Sequence, residues 1–244
     1  MSAAHAELEP RPDPARGVFD TLLARERRVQ ALARHLERLR SAVSELYGWA
    51  VPTNLEAEVR DTASALIEPH RLRIDAIPRS DGLVIEIAAS RLAAPPPPDA
   101  AVALRPVRVP GGIGPYKWRD RRLIESLSDE RTVPLILDAG DELLEAGSMN
   151  VWIVEARRIV TPPADGRLLA GVTRALLLEA APALGLEAFT EPITLGRARA
   201  ADAIFVTSSI RRAAPALLDD AVEPAPHADA VTAIRDALDV ADWS

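Results

Sequence analysis

Apolar residues at Val29, Leu32, Leu36, Leu39, Val43 and Leu46 follow one another at steps of 3, 4, 3, 4 and 3. That rhythm lays one stripe along a helix, which Gly48 ends. Just upstream, Gly17 to Leu23 predicts a strand, after a proline-containing lead-in over residues 1–16. A second helix is predicted from Leu55 to Ile67, with Thr53 or Asn54 as N-cap and Pro69 past its end. Leu72, Ile74 and Ala76 alternate with Arg71, Arg73 and Asp75, the period of a half-buried strand. Leu83 to Ile87 is a second strand; Asp81-Gly82 marks a hairpin, which Pro78 makes longer than two residues.

The pattern then breaks. Pro95 to Pro98 is a run of four prolines, and Pro106, Pro110, Gly111, Gly112, Gly114 and Pro115 follow. This predicts a linker, with a proline-rich ligand for another protein's groove as the lesser reading. The chain is thereby divided into a first half over 1–104, a linker over 105–115 and a second half over 116–244. The second half predicts a helix from Lys117 to Leu127 and strands at 133–138, 150–154, 159–161 and 203–207. A helix over 171–184, capped by Gly185, precedes the last of these strands. An acidic tail from Glu223 carries a weak helix near 230–240, and no internal repeat is present. Two mixed α/β halves would leave a cleft between them, a favoured place for a ligand.

Composition narrows the chemistry. There is no cysteine, so disulfide, zinc–thiolate and cysteine-nucleophile chemistry is excluded. The 29 basic and 36 acidic residues leave a net charge of −7, which argues against broad nucleic-acid binding. No apolar stretch approaches the roughly 20 residues of a membrane span. Met1 to Glu9 is polar, without the pattern of a signal peptide, so a cytoplasmic protein is expected. Of the 29 basic residues, 28 are arginines and one is a lysine, Lys117. Arginine solvates a surface as well as lysine but cannot lose its proton, so a lysine kept alone suggests an amine used in its neutral form. The alternative is a surface leftover.

Several segments resemble the class IV aminotransferases, the pyridoxal-phosphate enzymes of fold type IV. They are Gly17-Val18-Phe19-Asp20-Thr21, His35-Leu36-Glu37-Arg38-Leu39, Lys117-Trp118-Arg119-Asp120-Arg121, Glu145-Ala146-Gly147-Ser148-Met149-Asn150, Thr161-Pro162-Pro163, Gly171-Val172-Thr173-Arg174 and Phe205-Val206-Thr207-Ser208-Ser209. They run in the family's order from Val18 to about Leu218. The resemblance implies a mixed α+β, two-domain fold, with a small N-terminal and a larger C-terminal α/β domain and a cofactor cleft between them. It also implies pyridoxal 5′-phosphate as cofactor, a small-molecule substrate and a homodimer.

By resemblance, Lys117 is the Schiff-base lysine that shuttles protons. Glu145 keeps the pyridine nitrogen protonated, so that the ring can accept electrons. Arg38 clamps the phosphate, a contact suited to a guanidinium. Val172 and Thr173 at a helix N-terminus complete the phosphate cup, with Ser209 beyond them. Thr21, Arg73 and Ser208 are candidates for the substrate, although Arg73 could equally point to solvent and Ser208 and Ser209 could form a plain turn. His35, at the edge of the apolar stripe, reads as a packing residue. Two strands usual in the family before the Phe-x-Thr segment are missing, and Asp120 stands where relatives often carry Asn. No tyrosine near the ring hydroxyl is evident, Tyr116 being a poor substitute.

The family comprises transaminases for branched-chain or D-amino acids and lyases that release pyruvate from 4-amino-4-deoxychorismate to give 4-aminobenzoate, a folate precursor. Phe19-Asp20-Thr21-Leu22-Leu23 and the Leu-Glu-Arg-Leu helix are more like the lyases. A transaminase, or a non-catalytic relative acting as a binding module, are the alternatives.

Overall fold

In the computed structural model, residues 11–93, 100–218 and 228–243 are described. The four-proline run and the start of the acidic tail lie outside them. The first half contributes β1 (Val18–Arg25), β2 (Arg28–Val29), α1 (Leu32–Tyr47), α2 (Leu55–Ser64), β3 (His70–Arg79) and β4 (Gly82–Arg91). Its strands form an antiparallel sheet in the order β2-β1-β3-β4. The apolar stripe of α1 becomes buried Leu32, Leu36, Leu39 and Val43, packed with Leu22, Leu72 and Ile74 of the sheet and Leu55 and Val59 of α2. Each such side chain contributes about 1.5–3 kcal/mol when fully buried.

The second half contributes β5 (Val102–Arg108), α3 (Arg122–Leu127), β6 (Val133–Leu137), β7 (Leu143–Ala146), β8 (Met149–Glu155), β9 (Arg158–Thr161), α4 (Val172–Ala180), β10 (Glu187–Thr190), α5 (Leu195–Ala200), β11 (Ala203–Ser208), β12 (Arg212–Leu218) and α6 (Ala228–Val240). Its eight strands run in the order β10-β9-β8-β11-β12-β5-β6-β7, and β7 also pairs with β8. Six strands therefore close on one another. The period-2 rule sorts their side chains. Val151, Ile153, Ile204 and Val206 fill the inside with Leu104, Leu135 and Leu143. Trp152, Val154 and Phe205 point outward, beneath Val172 and Leu177 of α4 and Ile234 and Leu238 of α6.

The end of α6 reaches back to the first half. Asp239 pairs with Arg25 at 2.7 Å, Gln30 Nε2 donates to the carbonyls of Leu238 and Ala241, and the Ala31 amide donates to Asp242 at 2.7 Å.

Several elements differ from their sequence-based expectation. Residues 102–108 are β5, paired with β12 and β6, where the end of the first half and the start of the linker were predicted. The division we propose between the halves runs between β4 and β5. Pro78 does not lengthen the hairpin: it sits in β3 opposite Leu83, and Arg79 pairs with Gly82 across a two-residue turn. The helix predicted from Lys117 begins only at Arg122, because Asp120 accepts the Arg122 amide at 3.3 Å while Trp118 bridges to Val18. The helix from Gly171 ends at Ala180; Pro182 continues it as a tighter turn to Gly185, whose φ of 69° closes it. Among the described residues no helix is long and apolar enough to cross a membrane.

Candidate active site

Lys117 is held by backbone pairing with the first strand of the other sheet. The Phe19 amide donates to the Lys117 carbonyl at 2.9 Å, and the Arg119 amide donates to Gly17 O at 3.0 Å. Gly17 has φ +94°, and a Cβ there would lie 2.4 Å from Ala76 O, so only glycine lets these segments meet. The Lys117 side chain is half-buried, with Nζ 5.0 Å from the centre of the Phe19 ring. Among the described residues it has no hydrogen-bond acceptor. Burial, and secondarily Arg38, lower its pKa to about 8.

Lys117 opens onto a cavity of about 490 Å³ between the two sheets. Thr21, Arg38, Arg73, Val172, Thr173, Ser208 and Ser209, all singled out from the sequence, line it. Among the described residues six cations line it (Arg38, Arg71, Arg73, Lys117, Arg121 and Arg211) and no carboxylate does; Glu145 is not one of the lining residues.

At one end, α4 presents its first turn without a side-chain cap, leaving backbone N–H groups free for an anion. Gly171 precedes it, and a Cβ there would stand 2.0 Å from Asn150 Oδ1. Asn150 Nδ2 in turn donates to Leu169 O at 2.8 Å. Arg38 completes this end: its Nε and Nη2 donate to the two oxygens of Asp20 at 3.0 and 2.7 Å, and Nη1 donates to Ala170 O at 3.2 Å.

Asp20 also takes His35 Nδ1 at 2.8 Å. Burial pushes the Asp20 carboxyl up, but Arg38 and His35 outweigh it and hold it well below the carboxylate range. Burial lowers the His35 pKa, so the neutral ring donates through Nδ1 and turns Nε2 toward Ser209 Oγ, 3.4 Å away. His35 packs, as the stripe suggested, yet it also ties Arg38 to Ser209 through one buried carboxylate. Nothing in its spacing distinguished that role.

Glu145 stands on β7 opposite Asn150, not in a turn; the turn is Gly147-Ser148. It is 6% exposed, and among the described residues its carboxyl takes one hydrogen bond, from the Leu169 amide, long at 3.4 Å. Burial raises its pKa to about 7 against the pull of that amide, Arg121 and Lys117.

Arg73 lines the cavity but pairs with Asp75 through two contacts of 2.8 Å and covers the Phe19 ring at 3.8 Å. Ser208 Oγ accepts the Arg211 amide at 3.2 Å. Asp120 is not in the cavity: it is buried, with the Arg122 guanidinium at 2.7 and 2.9 Å. Tyr116 lies in a neighbouring cavity of about 190 Å³, bonded to Glu45 at 2.9 Å. Arg121 and Phe19 were not anticipated as single residues.

These groups fit pyridoxal 5′-phosphate. An amine of lowered pKa, an uncapped helix start with an arginine beside it, and a weakly partnered buried carboxyl match the cofactor's aldehyde, phosphate and ring nitrogen.

Comparison with known proteins agrees. Residues 17–217 match the family model for amino-transferase class IV. A stretch of 73 residues is 34% identical to the chloroplastic branched-chain-amino-acid aminotransferase 2 of Arabidopsis thaliana, covering 30% of this chain and 19% of that protein. A Methanocaldococcus jannaschii relative is 31% identical over 80 residues, 33% of this chain and 28% of its own length, so these matches span well under a third of either relative. The fold superposes on a hypothetical aminotransferase of Mycobacterium tuberculosis in its PLP-bound form, with TM-score 0.82, 18% identity and 98% and 95% of the two chains covered. It also superposes on the 4-amino-4-deoxychorismate lyase of Pseudomonas aeruginosa, with TM-score 0.73, 24% identity and 97% and 96% covered.

Proposed function

The chain belongs to the class IV aminotransferase family, and from that premise we propose that this pyridoxal-phosphate enzyme is a lyase that releases pyruvate from 4-amino-4-deoxychorismate to give 4-aminobenzoate. The observation that carries this choice is the cavity wall: among the described residues, six cations and no carboxylate line it, which suits a substrate with two carboxylates. A branched aliphatic side chain would gain little beside Arg71, Arg73, Arg121 and Arg211.

When bound, the cofactor supplies an aldehyde that condenses with amines and a ring that withdraws electrons. Arg38, the Val172 and Thr173 N–H groups and Ser209 would hold its phosphate. Glu145, buried beside the lining residues Asn150 and Leu169 rather than lining the cavity itself, would keep a proton at the ring nitrogen. Lys117 Nζ, neutral for an appreciable part of its population near pH 8, takes the proton from the amine-bearing carbon of the substrate. The bond from the adjacent ring carbon to the enolpyruvyl oxygen then breaks, and the ring becomes aromatic. Lys117 returns the proton to the departing enolpyruvate, which leaves as pyruvate. Thr21, Arg73 and Ser208 border the substrate.

The transaminase reading is supported by the Arabidopsis stretch. One experiment separates the two. Purified protein is loaded with pyridoxal 5′-phosphate and given aminodeoxychorismate, and pyruvate is measured. Pyruvate release, with the violet-edge cofactor band lost in Lys117→Ala, is expected. Amino-group exchange with keto acids and no pyruvate would overturn the lyase reading, and a protein that takes up no cofactor would leave a binding module.

A further inference from the structure

Three arginines follow Lys117 closely, and only one lacks an acceptor. Arg119 Nε donates to Asp75 at 3.1 Å, and Arg122 forks onto Asp120 at 2.7 and 2.9 Å. Arg121 lies between them, half-buried on the cavity wall, and its guanidinium makes no hydrogen bond or ion pair among the described residues.

The other arginines of the cavity do not share this condition. Arg38 has Asp20, Arg73 has Asp75, Arg71 Nε has Ser90 Oγ at 3.2 Å, and Arg211 is exposed to water. The charged groups that Arg121 feels are Glu145, Glu125, Arg73 and Lys117, none bonded to it. Glu145 is the nearest thing to a counter-ion, but burial keeps it largely protonated below about pH 7. The Arg121 guanidinium, half-buried on the cavity wall, therefore keeps its N–H donors open to an anion that enters the cavity.

We propose that Arg121 is an oxyanion receptor: its guanidinium takes an anionic oxygen brought into the cavity beside Lys117. Two sources offer that chemistry, the phenolate oxygen on the cofactor ring and a carboxylate of the substrate. The inference rests on the pyridoxal-phosphate reading above and adds to it the group that reads the second negative charge near the amine.

Wild type, Arg121→Gln and Arg121→Lys test it in two arms. In the first, the absorbance of each cofactor-loaded protein is titrated with pH. A cation on the phenolate opposes protonation of the nitrogen that joins Lys117 to the cofactor. Its removal in Arg121→Gln therefore raises the titration midpoint by about one pH unit, and Arg121→Lys restores the lower midpoint. In the second, binding of isophthalate and of benzoate to cofactor-free protein is measured by calorimetry. If the substrate's carboxylate is the source, Arg121→Gln weakens isophthalate about tenfold, moves benzoate less and leaves the midpoint in place.

Either result supports the receptor and identifies its anion. Unchanged midpoint and unchanged isophthalate binding in a variant that melts like wild type would overturn it. A wild type with no Lys117-dependent band overturns the cofactor reading instead, an outcome visible before any variant is made.

Discussion

Glu145 offers the sharpest physical test, because its cost to the cofactor-free fold can be read as a pH dependence. Its pKa of about 7 lies above the ordinary value of 4.5, so over that range the folded chain holds a proton that the unfolded chain has released. Stability contributed by that proton is complete below about pH 4.5 and is lost as pH rises to about 7. Raising the pKa from 4.5 to about 7 corresponds to about 3 kcal/mol above pH 7. Glu145→Gln keeps the shape and an acceptor for the Leu169 amide but cannot ionise.

The measurement is urea unfolding of cofactor-free wild type and Glu145→Gln between pH 5 and pH 8. The difference between the curves isolates Glu145, since His35, Asp20 and the surface carboxylates titrate in both. The variant should match wild type at the acid end and exceed it by about 3 kcal/mol at pH 8. Parallel curves would show that the carboxyl is not desolvated and would refute the argument. The same substitution should weaken the cofactor, because the buried carboxylate that destabilises the empty fold is the one that answers a protonated ring nitrogen.

Two further outcomes are expected. With a pKa of about 8, roughly a quarter of Lys117 is neutral at pH 7.5, against about one in a thousand for an ordinary lysine, so cofactor uptake should rise with pH around 8; a midpoint near 10 would contradict this. Gly171→Ala forces a methyl onto Asn150 at the start of α4, and spectral titration should show about tenfold weaker cofactor binding; unchanged affinity would mean that this turn is not the phosphate cup.

Much of the fold was legible where periodicity is strong. The stripe of α1, the alternation of β3 and the apolar runs of β6, β8 and β11 were each predictable from spacing. β12 was not, because Arg-Ala-Ala-Pro-Ala-Leu-Leu carries little β-branched character and includes Pro215; it is a strand because β11 and β5 flank it. β5, β10 and α5 are likewise short elements fixed by their neighbours. At the site, Lys117 stood out because one amine among so many guanidiniums is a chemical anomaly. Arg121 did not, since Trp-Arg-Asp-Arg-Arg looks like a solvated charge run until Asp75 and Asp120 are seen to claim its neighbours. The His35–Asp20–Arg38 connection needs three-dimensional proximity, because β1 and α1 meet only after the chain turns back at β2.

The backbone pairing of Lys117 with Phe19 joins two segments far apart in sequence, and it has a kinetic meaning. Neither sheet alone creates the pocket that lowers the amine's pKa; it arises when β1 of the first half zips against the stretch before α3. Contacts of such long sequence separation form late and slowly. Cofactor colour would therefore gauge assembly: a chain whose halves are not docked is expected to keep an ordinary, protonated lysine and to stay colourless. Loading would then follow docking in time, and the cofactor band of a loaded preparation would count only the molecules whose halves have met.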